Sequence, residues 1–228
     1  FVQAQNPLPQ ESMLKLVDRS GRILVLRPDC TTPIARVAAT RLDTAMLPQR
    51  LFYDQTIFRS GDANHGMSSE IPQCGIELVG AEGLRADAEA VALAVEAVRT
   101  AGLEGFRIEL GHAGFFTALA RELGVSGERA DRLRACIENK SFAELDDMLA
   151  CEDSPAAAAL RKIAVLFGGA EILAEARELT ENPEALAVID YLSGIYAELD
   201  AAGMGKYISF DLGLVSGLEY YTGLIFRG

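Results

Sequence analysis

The strongest constraint on this chain is a long helical stretch set between two strand-rich blocks. Residues 113–205 are rich in Ala, Leu and Glu and carry helical periodicity, with breaks at Gly124, Gly127, Pro155, Gly168–Gly169 and Pro183. After them, "YISFDLGLVSGLEYYTGLIFRG" (207–228) returns to the β-branched and aromatic content of strands. A sheet begun before residue 113 therefore resumes only after 205. This predicts an α+β fold in three parts: a core over 1–112, a helical insertion of four to six short helices over 113–205, and the core resumed over 206–228.

The first part reads in detail. "GRILVLRPD" (21–29) follows "KLVDRS" and predicts a hairpin turning at "DRSG". "TTPIARVAATRL" (31–42) predicts a helix with Thr31 or Thr32 as N-cap and Pro33 in the first turn. "RLFYDQTIFR" (50–59) and "IPQCGIELVG" (71–80) read as strands. The loop between them is too short for a helical crossover, which makes them antiparallel. "LRADAEAVALAVEAVRTAG" (84–102) is the clearest helix, with Val91, Leu93, Ala94, Val95 and Val98 as its buried side and Gly102 as its stop. "FRIELGH" (106–112) is the next strand.

Composition narrows the function. Half of the 228 residues are hydrophobic and the net charge is −12. Such a chain repels phosphate backbones, and its 21 Lys and Arg form no block, which argues against nucleic acid as a partner. No run approaches ~18 unbroken apolar residues, so no membrane partner is expected. Cys30, Cys74, Cys136 and Cys151 are dispersed, with no CxxC and only two histidines, and no metal or other cofactor is expected. Dispersed cysteines without a signal pattern suit reduced thiols in a cytoplasm. The start "FVQAQNPLPQ" reads as interior to a longer chain.

Three motifs carry possible chemistry. In "LRPDCTTPIAR", Asp29 and Thr31 lie where strand gives way to helix. Taken alone they are more simply a turn and a cap than acceptors for an ammonium ligand. In "PQCGIELVG", period-2 spacing puts Gln73, Gly75 and Glu77 on one face and Cys74 and Ile76 on the other, with Gly75 leaving floor space for a ligand. A solvent-facing polar strand side is an equal reading. In "SGLEYYTG", Tyr220 and Tyr221 point to opposite faces if the segment is a strand, so one can pack while the other lines a cavity. Of the two histidines, His112 reads as structural and His65 as solvated.

In order and spacing, these motifs resemble the catalytic core of the histidyl-tRNA synthetases. "LRPDCTTPIAR" is similar to that family's "RPE-G-T" segment, "FR…QCGIE" to class II motif 2, and "GLEYYTG" to its "RGLDYYT" signature. The resemblance implies a class II aminoacyl-tRNA synthetase-like antiparallel sheet flanked by helices, with a histidine pocket. In that pocket Asp29, Thr31 and Gln73 would hold the α-amino group, Glu77 and Tyr221 would address the imidazole, and Tyr220 would pack nearby.

Departures from the pattern bear on activity. Arg59 is kept, as a vestige of an ATP site. Asp62, Met67 and Ser69 stand where the motif 2 loop normally carries further arginines, and Ser216 replaces the arginine of "RGLDYY". Each cation of that kind contributes roughly 2–4 kcal/mol to a phosphoryl-transfer step. "VDRSGRILVLRPDCTTPIARVAATRL" and "IELGHAGFF" look much like a non-charging branch of these proteins, the regulatory subunits of ATP phosphoribosyltransferase. That likeness implies no catalytic residues and a hetero-oligomer with the short-form catalytic subunit, containing a homodimer of the regulatory chain. It also implies activation of that subunit in the first step of histidine biosynthesis and relay of feedback by L-histidine. The alternative is a histidyl-tRNA synthetase core that activates histidine with ATP.

Overall fold

A computed structural model describes residues 10–42, 46–60, 68–215 and 222–228. Asp62, His65, Met67, Ser216, Glu219, Tyr220 and Tyr221 lie outside the described residues. The chain divides into two compact units, 1–81 and 82–228.

The first unit holds two antiparallel hairpins and a helix. Strands β1 (Lys15–Val17) and β2 (Ile23–Val25) pair across the expected turn, where the Asp18 carboxylate accepts the Ser20 and Arg22 amides at 2.8 and 2.9 Å. The turn aspartate thus satisfies backbone donors that the tight loop leaves free. Helix α1 (Thr31–Arg41) follows. Its capping differs from expectation: Cys30 is the N-cap and makes no side-chain bond, and the Asp29 carboxylate accepts the Thr32 amide at 2.8 Å. Asp29 does this because its short side chain reaches forward three residues, which frees the Thr31 hydroxyl for other work.

Strands β3 (Gln49–Phe58) and β4 (Glu70–Val79) pair antiparallel along their whole length, from Gln49↔Val79 to Phe58↔Glu70. Arg27 ties the preceding segment to this hairpin, donating from Nε and Nη2 to the Thr56 carbonyl at 3.1 and 2.9 Å, and Arg59 Nε donates to the Pro28 carbonyl at 3.0 Å.

The second unit carries the larger core. Its strands β5 (Ile108–His112), β6 (Phe167–Gly168), β7 (Ile208–Asp211) and β8 (Leu224–Arg227) form one sheet in the order β6-β7-β5-β8. β5 and β7 run parallel, and the other pairs are antiparallel. The long helical connection between β5 and β7 makes the parallel pairing possible, since no tight turn can.

Helix α2 (Leu84–Thr100) precedes the sheet. It buries Ala88, Val91 and Val95, whereas Leu93 is 43% exposed, against expectation. At 100° per residue, Leu93 lies about 200° around the helix from Val91. The insertion forms six helices: α3 (Ala113–Glu122), α4 (Gly127–Glu138), α5 (Phe142–Met148), α6 (Pro155–Ile163), α7 (Glu171–Glu178) and α8 (Pro183–Ala201). The prolines that read as breaks are first-turn residues, which need no amide partner. The Ser154 hydroxyl accepts the Ala157 amide at 3.2 Å, and the Asn182 side chain accepts those of Glu184 and Ala185. α3 and α8 are buried against β5 and β7 in a single hydrophobic cluster that includes Leu110, Phe115, Leu119, Leu192 and Phe210. No helix among the described residues is long and apolar enough to cross a membrane.

Two polar anchors organise this unit. Asp211, only 3% exposed at the end of β7, accepts the Gly213 amide at 2.9 Å and pairs with Arg227 of β8 at 3.1 Å and Lys140 at 3.8 Å. The turn it forms lies so close to β5 that a Cβ at Gly111 would meet Leu214 at 2.7 Å. His112 caps α3, its Nδ1 accepting the Gly114 amide at 3.0 Å, and packs edge-on against Tyr191, whose hydroxyl donates to Asp87 at 2.8 Å. Burial, with the Asp87 hydrogen bond, pushes the Tyr191 phenol up to about 12.

Phe115→Ala is expected to cost about 3–5 kcal/mol in chemical denaturation, because its side chain is wholly enclosed. A second outcome concerns pH. Burial lowers the His112 pKa below 6.5, with Asp87 opposing. The folded state then binds this proton more weakly than the unfolded chain, so stability is full above pH 6.5 and is lost as pH falls below it. Asn at this position keeps a cap acceptor but cannot titrate. The difference in melting temperature between wild type and His112→Asn should therefore shift against wild type as pH falls from 6.5.

Candidate functional site

The site residues of the first unit converge because of the β3–β4 register. Gln73, Gly75 and Glu77 share one face of β4, as the alternation predicts, and the register sets Gln55, Tyr53 and Leu51 beside them on β3. The opposite face, with Phe52, Cys74 and Ile76, is exposed.

The floor expected at Gly75 is occupied. Tyr53 lies over it so closely that a Cβ on residue 75 would collide with the ring's Cζ and Oη. Glycine is required there because a neighbouring phenol takes the space. The Tyr53 phenol is pushed up by burial first, then by Cys30, Glu77 and Asp29. It therefore stays neutral at physiological pH, beside two acidic side chains.

Thr31, at the start of α1, donates its hydroxyl to Glu77 Oε1 at 2.7 Å. Asp29 accepts the Thr32 amide and, at 3.3 Å, the Thr32 hydroxyl. Cys30 is buried, and desolvation pushes its thiol up. Thr31 and Glu77 also stand at the edge of a cavity of about 350 Å³ between α1 and β4, whose other walls are aliphatic, including Ile34, Ala38, Leu47 and Val79. One polar end on an apolar slot suits a small ring with a heteroatom.

Gln73 supplies the most direct sign of a ligand. Its Oε1 is buried and has no hydrogen-bond partner among the described residues. Such an orphaned acceptor costs about 1–3 kcal/mol unless a donor arrives. A ligand ammonium is such a donor.

The structure thus brings Thr31 and Glu77 into contact, sets Asp29 two residues before Thr31, and puts Gln73 on the strand face that carries Glu77. Arg59 is held against the segment that carries Asp29 through its bond to the Pro28 carbonyl, while Tyr220 and Tyr221 lie outside the described residues. Sequence reasoning missed Tyr53. The available signal was a tyrosine and a glycine on two strands of one hairpin, which requires the register to be known.

A family model described as histidyl-tRNA synthetase matches residues 3–228. A curated relative from Clostridium acetobutylicum, described as an ATP phosphoribosyltransferase regulatory subunit, is 41% identical over 226 residues, covering 97% of this chain and 56% of its own. The crystal structure of an ATP phosphoribosyltransferase regulatory subunit/histidyl-tRNA synthetase from Bacillus halodurans C superposes with a TM-score of 0.88 at 33% identity, over 96% of this chain and 58% of that one. The ATP phosphoribosyl transferase (HisG:HisZ) complex from Thermotoga maritima shares the fold, with a TM-score of 0.69 at 21% identity over 98% of this chain and 76% of that chain. The chain spans about half the length of the curated relatives it matches. With a class II synthetase-like fold and a family match along almost its whole length, this chain belongs to the histidyl-tRNA synthetase family.

Proposed function

We propose that the chain is the synthetase-like core of a regulatory subunit of ATP phosphoribosyltransferase. In this reading it catalyses nothing itself, joins the short-form catalytic subunit in a hetero-oligomer, activates it and relays inhibition by L-histidine. The observation that carries the reading is the 41% identity to a protein of that description along 97% of the chain. Four free cysteines suit a cytoplasmic setting.

The site's chemistry supports the same reading. The carboxylates described at the ligand face, Asp29 and Glu77, suit an ammonium and a ring N–H. Asp29 and the orphaned Gln73 Oε1 hold the α-ammonium, and Glu77, oriented by Thr31, takes the imidazole at the cavity edge. Tyr221 addresses the imidazole and Tyr220 packs nearby, as the family resemblance implies. Phosphate activation needs cations. Arg27 and Arg59 are engaged with backbone carbonyls, and Ser69 and Ser216 stand where arginines are expected. Histidine is thus bound and not activated. A histidine site regulates a partner only if its affinity differs between two states of the complex.

Three outcomes are expected. The full-length protein should co-purify with the short catalytic phosphoribosyltransferase; failure to associate sinks the reading. Histidine-dependent ATP–pyrophosphate exchange should be at least a hundredfold below that of an active synthetase, and robust exchange would restore the synthetase alternative. Gln73→Leu should leave thermal stability unchanged or raise it, since it removes a buried unpaired acceptor, while weakening histidine binding at least tenfold in calorimetry. Wild-type feedback in a complex carrying Glu77→Ala and Tyr221→Phe would exclude this pocket as the sensor.

A further inference from the structure

We propose that Tyr53 is a ligand-contacting residue whose hydroxyl accepts the third N–H of a bound α-ammonium group, beside Asp29 and Gln73. This rests on the reading of the site as one for histidine.

The argument begins with valence. An ammonium group carries three N–H donors and is held best when each meets an oxygen. Asp29 and Gln73 provide two. The family pattern assigns the third to Thr31, but here the Thr31 hydroxyl is turned to Glu77 at 2.7 Å. The Tyr53 hydroxyl has no hydrogen-bond partner among the described residues. It lies over Gly75, the residue between Gln73 and Glu77 on the same strand face. Gln73 is the diagonal cross-strand neighbour of Tyr53, within reach of a long side chain. Asp29 and Glu77 both act electrostatically on the phenol, which places it inside the acidic part of the site.

A packing role does not account for the hydroxyl. Phenylalanine would cover Gly75 equally well, whereas the Tyr53 hydroxyl is not among the enclosed, unpartnered polar atoms and is open to a ligand at that face. Gly75 is the second half of the device: any side chain at that position would displace the ring and carry the hydroxyl away from the ligand.

The test is calorimetric titration of the full-length protein with L-histidine and with histamine, which keeps the ammonium and lacks the carboxylate. Tyr53→Phe should weaken both by about tenfold or more, the ratio one charge-assisted hydrogen bond carries, with the melting temperature unchanged. Gly75→Ala should weaken L-histidine similarly, and adding Tyr53→Phe to it should cost nothing more, because the hydroxyl has already left. If wild type binds L-histidine and Tyr53→Phe binds it equally well, the inference is overturned while the histidine reading stands. A loss seen with L-histidine but not with histamine places the contact on the carboxylate and also overturns it. If wild type binds no L-histidine, the reading of the site falls, and this inference falls with it.

Discussion

The register of β3 against β4 is the constraint on which the candidate site depends. It sets Tyr53 opposite Gly75 and Gln55 opposite Gln73, on the face that carries Glu77. A slip of one residue would move every one of these side chains to the other face of the hairpin. The register is held from both sides. The Tyr53 ring seats only where the facing residue has no Cβ. Arg27 and Arg59 bind the hairpin to the segment carrying Asp29 and Thr31 through carbonyls of Thr56 and Pro28.

Those two arginines act on the backbone of the synthetase-like frame. Arg27 donates from Nε and Nη2 and Arg59 from Nε, and these bonds to carbonyls fix the backbone that carries Asp29 and Thr31. The acids remain on the ligand side, one of them oriented by a threonine hydroxyl. The same hairpin face carries a buried amide oxygen, Gln73 Oε1, with no partner among the described residues.

Much of this was legible from the chain. The alternation at residues 73–77 needs only the strand period. The helix at 84–100 needs only spacing, although Leu93 shows the limit: it sits among buried valines in sequence and on the opposite side of the helix in space. Pro155 and Pro183 were visible as punctuation, but whether a proline ends one helix or begins the next depends on the cap before it, here Ser154 and Asn182. His112 read as structural, and it is a cap.

By itself the sequence determined most element types and the polar face of β4, because each of these is a local property of residue identity and period; the two-residue strand β6 inside the helical stretch has no such local signal. Only the tertiary structure decided that Thr31 serves Glu77, 46 residues away, that Tyr53 fills the floor at Gly75, and that Asp211 gathers Arg227 and Lys140. Those pairings depend on strand register and loop closure over long separations. The residues involved have no local preference for one another, and they meet because the backbone of the folded sheet and helices brings them within a few ångströms.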